Sequence, residues 1–184
     1  MISTIELNKK NGEKVIGRFE VLNLEHIDKI MELQKVVIEA LDDKQLYAPS
    51  EKEEFAEYIR DIGKVVGVVE EESNELIAMG VYGKLGLKEN NYGHDLEIKG
   101  DKLLEVGQIE STVVAPDYRG NALQKKICSI LEEISRENND SLLCATVSPY
   151  NKYSLNSFLD LGYEIKKEKL KYGGLKRYVV AKQL

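Results

Sequence analysis

The 184-residue sequence contains no tryptophan and only three prolines, two histidines and two cysteines. No apolar run approaches the roughly 20 residues that a membrane-spanning helix needs, so no membrane association is expected. The opening stretch MISTIELNKKNGEK has no apolar segment after its basic residues, so no secretory signal peptide is expected either. These features predict a cytoplasmic protein.

The small number of cysteines and histidines and the negative net charge narrow the functional classes further. Cys128 and Cys144 do not form a C-x-x-C pair and are expected to be buried, reduced thiols. No cluster of His, Cys and carboxylate residues has metal-ligand spacing, so no metal is expected. The formal net charge of −6 argues against a nucleic-acid partner, which needs a basic face. An acidic chain is compatible with amine ligands such as a polyamine, an aminoglycoside or a peptide amine.

Helix-like and strand-like segments alternate along the chain. They predict one α/β (α+β) domain with a mixed sheet over residues 1–184. The predicted strands are 5–7, 15–19, 64–69, 76–82, 106–114, 142–147, 163–172 and 177–181. The predicted helices are 24–41, 50–62, 120–136 and 151–161.

Local signals set several of these boundaries. Asn11-Gly12 predicts the turn of the first hairpin. Asn23 is expected to cap the first helix, and Ser50 with Glu53 has the spacing of a capping box. The Gly/Asn-rich stretch 83–101 is expected to be a loop with at most a short helix.

The stretch VVAPDYRGNALQKKI, residues 113–127, joins a predicted strand to a predicted helix. Pro116 ends the strand because it has no N–H to donate to a sheet. The first turn of a helix has unpaired N–H groups and a partial positive charge, which favour a bound anion. Arg119 adds a guanidinium that can hold a second phosphate oxygen. The stretch therefore predicts a pyrophosphate site, and the alternative is a tight turn with a surface arginine.

The same stretch resembles the acetyl-CoA-binding motif of the GNAT superfamily of N-acetyltransferases, V-x-P-x-x-[QR]-x-x-G-x-[GA]. The matching residues are Val114, Pro116, Arg119 and Gly120. Ala122 stands where the family usually has glycine, and helical backbone angles would accommodate its methyl group. Gln124 stands where the family has Gly or Ala, and its amide could donate to a phosphate oxygen. The resemblance implies a GNAT-like mixed, mostly antiparallel central sheet flanked by helices.

A second block, residues 147–163, is similar to the family's N-x-x-[AS]-x-x-x-[YF]-x-x-x-G-[FY] helix. The residues in register are Asn151, Ser154, Phe158, Gly162 and Tyr163. In the family, a splayed or bulged strand frees backbone N–H groups, here at about 112–114. The resemblance thus implies that acetyl-CoA is held at Thr112, Val113, Val114, Arg119, Gly120, Asn121, Ala122, Leu123, Gln124, Asn151 and Ser154.

The implied reaction is direct attack of a primary amine on acetyl-CoA in a ternary complex. Deprotonating a lysine-like amine at pH 7 costs roughly 4–5 kcal/mol, whereas ionising a cysteine-like thiol to its thiolate costs only about 2 kcal/mol. A general base therefore matters more than a general acid. Gln108, Glu110 and Thr112 share one side of their strand, which makes Glu110 the candidate base. The alternatives are a solvated Glu110 with Glu105 or His94 as the base.

The proton donor that many family members use is absent, because Phe158 occupies the usual tyrosine position. Tyr153 is the candidate general acid, with Tyr150 or a bound water as alternatives. Phe158 also leaves open a non-catalytic acyl-CoA sensor or regulatory module, and longer acyl chains are a third option. The acceptor is expected to be a small-molecule or peptide amine framed by both N-terminal helices and by 83–101 and 171–176. A homodimer is compatible with the resemblance.

Overall fold

In the computed structural model, which describes residues 3–184, helices cover both faces of one eight-stranded sheet. The strands are β1 (Ser3–Asn8), β2 (Lys14–Leu22), β3 (Gly63–Glu70), β4 (Leu76–Gly83), β5 (Val106–Val114), β6 (Leu142–Val147), β7 (Glu164–Lys171) and β8 (Leu175–Gln183). The helices are α1 (Ile27–Glu39), α2 (Lys52–Glu57), α3 (Leu123–Glu137) and α4 (Lys152–Asp160), and a π-helical turn, Tyr58–Ile62, extends α2.

The strand order is β1-β2-β3-β4-β5-β6-β8-β7. Within residues 3–184, β5 and β6 are the one parallel pair, and every other neighbouring pair is antiparallel. This confirms the predicted mixed, mostly antiparallel sheet. The parallel connection needs a crossover, which α3 supplies between β5 and β6.

The two faces of the sheet bury separate apolar clusters. On one face, α3 and α4 cover a core that includes Ile109, Ile127, Leu131 and Phe158. On the other face, α1 and α2 cover a core that includes Ile30, Leu33, Phe55 and Met79. Cys128 and Cys144 are buried free thiols, as expected.

Strands β5 and β6 separate halfway along their length. Their pairing runs only from Val106 with Leu142 to Ile109 with Ala145. The register between β4 and β5 shifts in the same region, where Ser111 has a φ of 44°. An extra residue with left-handed backbone angles is typical of a β-bulge, which bends the strand that carries it. The predicted splayed and bulged strand is therefore present.

The N-terminal end of α2 differs from the prediction by one residue. The helix is capped at Glu51, whose backbone N–H donates to the side chain of Glu54 at 2.7 Å. Ser50 is instead held by Gln34 of α1, which accepts from its N–H and donates to its carbonyl, both at 2.9 Å. The predicted Ser50–Glu53 capping box is therefore wrong.

The 83–101 loop contains a 3-10 turn, Tyr92–Leu96, and a second one, Gly100–Glu105, begins at its end.

Helix α3 begins later than predicted, because the residues before Leu123 are not helical. Gly120 has a φ of 94°, and Ala122 has a φ of 55° and a ψ of 26°. These are left-handed angles, so the expectation that Ala122 has helical backbone angles is wrong. They also give a reason for glycine at this position in the family motif, since glycine adopts positive φ without a Cβ clash.

We predict that Ala122→Gly stabilises the fold by about 0.5–1 kcal/mol. The left-handed conformation costs a residue with a Cβ about 1–2 kcal/mol, which outweighs the larger unfolded-state entropy of glycine. Urea denaturation measures the difference. Ala40→Gly is the matched control, because Ala40 has an ordinary φ of −82° and should gain nothing. A loss of stability in Ala122→Gly would contradict the strain.

Candidate active site

A cavity of about 260 Å³ lies where β5 and β6 diverge. Its walls come from the segment before α2, from α2 itself, from the middle of β5, from the end of β6, from α4, and from the β7–β8 hairpin. Because the two strands separate, side chains from both faces of the sheet reach this one space. The cavity is therefore the candidate active site.

Glu110, the predicted base, is half-buried in the wall of this cavity. Burial raises the pKa of Glu110 to about 7, and it exceeds the opposing effects of hydrogen bonding to Tyr92 and Gln108 and of the Lys171 charge. A carboxylate with a pKa near neutrality is suited to accept a proton at physiological pH. The structure therefore places Glu110 in the cavity wall, and its role as the base stays a prediction.

Gln108 holds Glu110 in position. Its side chain is 1% exposed, and its Nε2 donates to Oε1 of Glu110 at 2.7 Å. Its Oε1 accepts from the backbone N–H of Tyr92 at 2.9 Å. One buried amide therefore connects the candidate base to the loop between β4 and β5.

Hydroxyl groups line the part of the cavity near the β7–β8 hairpin. The Tyr172 hydroxyl shares hydrogen bonds with the Tyr92 hydroxyl at 2.6 Å and with Oγ1 of Thr146 at 2.8 Å. On the opposite wall, the Tyr47 hydroxyl donates to Gln34 at 2.9 Å. Burial raises the pKa of both Tyr47 and Tyr172 to about 12, so these groups are neutral at physiological pH.

The N-terminal end of α3 offers unpaired backbone donors. In the described part of the chain, no group accepts a hydrogen bond from the backbone N–H of residues 120–124. Arg119 is exposed beside them. Free N–H groups, the positive end of the helix dipole and a guanidinium together fit the pyrophosphate of a CoA molecule.

Two side chains in this motif have other partners. Asn121 donates to the carbonyl of Asn8 at 2.9 Å and to that of Tyr118 at 2.8 Å, and it accepts from the N–H of Asn8 at 2.9 Å. Its side chain thus fixes the motif loop to β1. Gln124 donates to Ser154 at 2.8 Å, and to Thr112 at 3.2 Å. Its amide therefore connects β5 to α4, contrary to the expected donation to a phosphate.

The remaining predicted donor-site residues fall into two groups. Thr112, Asn151 and Ser154 line the cavity, and the Asn151 side chain also caps α4 by accepting from the N–H of Ser154 at 3.1 Å. Val113 packs into the core below α1, and Val114 packs against the core below α3. The two valines therefore contribute backbone rather than side chains to the site.

The predicted acid does not lie in the site. Tyr153 is 91% exposed and Tyr150 is 57% exposed, and Tyr153 is outside the cavity wall. Tyr153 on the solvent side of α4 cannot protonate a group in the cavity, so its assignment is corrected. Phe158 lines the cavity and packs edge-on against Tyr163, with ring centroids 5.1 Å apart.

The alternative bases also lie elsewhere. Glu105 is exposed and accepts from the Ser141 hydroxyl at 3.1 Å. His94 is exposed, with its Nε2 3.2 Å from the carbonyl of Lys88. Neither residue lines the cavity, so Glu110 is the one of the three bases considered from the sequence that does.

Several cavity residues were not named from the sequence as site residues. Tyr47, Tyr92, Tyr172 and Arg177 come from three distant segments, and no spacing in the sequence connects them. The only available signal was coarse: the family resemblance placed the acceptor near 83–101 and 171–176.

Residues 3–184 contain neither a metal-binding cluster nor a membrane-spanning helix. No group of three or more His, Cys, Asp or Glu side chains converges in a way that could hold a metal ion. No helix in this part of the chain combines the length and the apolar character needed to cross a membrane.

Known proteins of similar structure are acetyltransferases of low sequence identity. The ribosomal-protein-S18-alanine N-acetyltransferase of Escherichia coli superposes with a TM-score of 0.65 at 12% identity, covering 90% of this chain and 92% of that chain. An N-acetyltransferase from Staphylococcus aureus Mu50 gives 0.67 at 13% identity, with coverages of 91% and 98%. The yncA protein of Salmonella typhimurium, solved with its cofactor acetyl-CoA, gives 0.66 at 14% identity, with coverages of 91% and 93%.

Sequence comparison shows the family directly. No curated protein matches the chain. A profile of the acetyltransferase (GNAT) family, however, matches residues 28–163. This range is most of the chain and includes both motif blocks. Together with the shared fold, this match shows that the chain belongs to the GNAT acetyltransferase family.

Proposed function

We propose that the protein transfers the acetyl group of acetyl-CoA to a primary amine of a small molecule or peptide by direct attack in a ternary complex. The observation that carries this proposal is Glu110, a carboxylate with a pKa of about 7 in the wall of the cavity between β5 and β6. When bound, acetyl-CoA supplies an activated acetyl thioester.

The proposed donor site runs from the start of α3 into the gap between the strands. The backbone N–H groups of residues 120–124 and the guanidinium of Arg119 would hold the phosphates. The backbone of residues 112–114 would bond the peptide-like arm of CoA, since Val113 and Val114 pair with β4 and none of the three residues pairs with β6. Asn151 and Ser154 line the same gap from α4.

Glu110 supplies the proton transfer that the amine needs. Its carboxylate takes a proton from the acceptor ammonium, directly or through a water, and the free amine then attacks. The new C–N bond would then replace the C–S bond, CoA would leave as a thiolate, and the attacking nitrogen would pass its second proton to that thiolate or to water. Because a thiol has a pKa of about 8.5, this departure needs little help at neutral pH. The cavity can therefore function with Phe158 in place of a proton donor.

Phe158 supports a second function, an acyl-CoA sensor that binds the ligand without turnover. The two functions differ in what they require of Glu110, because a sensor needs no base. Incubation with acetyl-CoA and an amine panel, followed by thiol detection, distinguishes them. Acetyl-CoA binding without thiol release from any amine would favour the sensor.

We predict that Arg119→Ala weakens acetyl-CoA binding about fivefold to tenfold, because an exposed ion pair contributes on the order of 1 kcal/mol. Calorimetric titration with acetyl-CoA measures the change. Arg136→Ala is the matched control, since it removes a guanidinium from the other end of α3, where Arg136 contacts Glu132 at 3.5 Å. Equal affinities in Arg119→Ala and wild type would contradict the phosphate assignment.

We predict that Glu110→Gln lowers kcat at least about 100-fold at neutral pH, the typical size of a general-base effect. Glu110 accepts a proton from the ammonium only when ionised, and its ionised fraction rises as the pH passes about 7. The wild-type kcat should therefore rise through this pH and then level off. The variant needs an amine that has already lost its proton to solvent, so its kcat should keep rising, and the ratio of wild-type to variant kcat should fall above about pH 7.

Glu105→Gln is the control for this experiment, because it removes an exposed carboxylate near the start of the same strand. Its kcat should follow the wild-type pH profile. A wild-type to Glu110→Gln ratio that stays constant across this pH range would contradict the role of Glu110 as base.

A further inference from the structure

Arg177 is a buried cation in the cavity wall that has no acidic partner. The residue is 3% exposed. Its Nη1 donates to the carbonyl of Lys176 at 2.8 Å, whereas its Nη2 is buried and has no hydrogen-bond partner in residues 3–184. No carboxylate of those residues lies within 4.0 Å of its guanidinium.

The neighbouring cations are paired. Lys171, also in the cavity wall, bonds the Asp95 carboxylate and lies 4.6 Å from the centroid of the Tyr92 ring. Lys182 of the same strand as Arg177 bonds Glu132 at 2.7 Å. A buried charge without a partner is costly, and arginine stays protonated even where burial lowers its pKa, as it does here. An external anion beside Arg177 would compensate this cost.

The position of Arg177 separates it from the proposed phosphate site. Successive residues of a strand point to opposite faces. Tyr178 and Val180 pack in the core below α3 and α4, so Arg177 lies on the other face of the sheet. Glu110 lies on that same face, since its neighbour Ile109 packs below α3. The N-terminal end of α3 is on the opposite face, so the anion at Arg177 belongs to the acceptor.

The sheet also sets the distance between the two groups. Glu110 is on β5 and Arg177 is on β8, with β6 between them. Two regular strand spacings correspond to about 10 Å between backbones, and the separation of β5 from β6 beyond Ile109 makes the distance at Glu110 larger than this. Both residues nevertheless line the same cavity. A small acceptor can therefore contact both of them.

We propose that the acceptor is an amine of the amino-acid type, whose carboxylate binds Arg177 while its amine faces Glu110. This inference rests on the proposed acetyl transfer. The planar guanidinium matches a carboxylate, and its carbon lies 5.8 Å from the centroid of the Tyr172 ring, which limits its orientation. A doubly charged phosphate fits less well, because Glu54 and Glu110 line the same cavity.

This acceptor class differs from the one that the net charge of the chain suggested. The net charge of −6 describes the whole chain and not the cavity. The cavity itself contains Lys171 and Arg177 as well as the two glutamates, so it is not an acidic pocket. A polyamine would leave Arg177 unpaired and add further cations beside it.

The test compares amino acids with the amines that lack only the carboxylate, for example phenylalanine with phenethylamine, leucine with isopentylamine, and β-alanine with ethylamine. We expect the wild-type kcat/KM to be at least tenfold higher for one or more acids than for the matched amines. Arg177→Gln should raise KM for those acids about tenfold and leave the amines unchanged. Arg177→Lys, which keeps the charge, should retain part of the preference.

Lys176→Gln is the matched control, because it removes the adjacent cation, which lies outside the cavity wall and pairs with Glu168 at 3.3 Å. It should keep the wild-type preference. Equal use of acids and amines by the wild type would overturn the inference, as would equal losses for both in Arg177→Gln. If Arg177→Gln does not fold, two results test the inference instead: the preference of the wild type for acids over the matched amines, and the part of that preference that Arg177→Lys retains.

Calorimetric titration of the same pairs into the protein with CoA separates this inference from the proposed function. Binding that requires the carboxylate, without any acetylation, would support the acceptor site and contradict acetyl transfer. Acetylation of plain amines with no preference for acids would support acetyl transfer and overturn the acceptor site. Failure of every acid to bind or react would also overturn it.

Discussion

The separation of β5 from β6 beyond Ile109 and Ala145 is the constraint on which the rest of the site depends. Beyond this point, the edge of β5 that faces β6 has no hydrogen-bonded partner strand, and a gap opens in the sheet. The bulge at Ser111 bends β5 at this point, opposite Gly80 of β4. A Cβ on Gly80 would lie 2.6 Å from a methyl of Ile127, so α3 packs directly on the strand. Gln124 then connects the two sides of the gap.

The gap also determines the chemistry of the charged groups inside it. Partial burial raises the pKa of Glu110 far enough for it to exchange a proton near neutrality, while the Gln108 amide keeps the carboxylate in place. The tyrosine hydroxyls of the wall stay neutral, so they add polarity without charge. Arg177 supplies a fixed positive charge on the same face of the sheet. The proposed base and the proposed anion site thus face one small volume.

Much of this arrangement could be predicted from local sequence, and the parts that could not depend on distant contacts. Pro116, Arg119 and the apolar period of α3 act within a few residues, so the strand–helix junction was predictable. The left-handed angles of Ala122 were not, because Asn121 fixes that loop to β1. The capping box was displaced by one residue because Gln34, from α1, holds Ser50. Tyr92 and Arg177 are far from the other cavity residues in the sequence, and only the strand order of the sheet brings them to the cavity.

The most direct test of this account is the pKa of Glu110 itself. Carbon-13 NMR of protein labelled at the glutamate side-chain carboxyl carbon follows each carboxylate through a pH titration, and Glu110→Gln assigns the resonance. The account predicts one glutamate that titrates at a pH of about 7 and is missing from the spectrum of the variant. If the Glu110 resonance instead titrates with the exposed glutamates, near the ordinary value of about 4.3, the carboxylate is solvated and the proposed base is wrong.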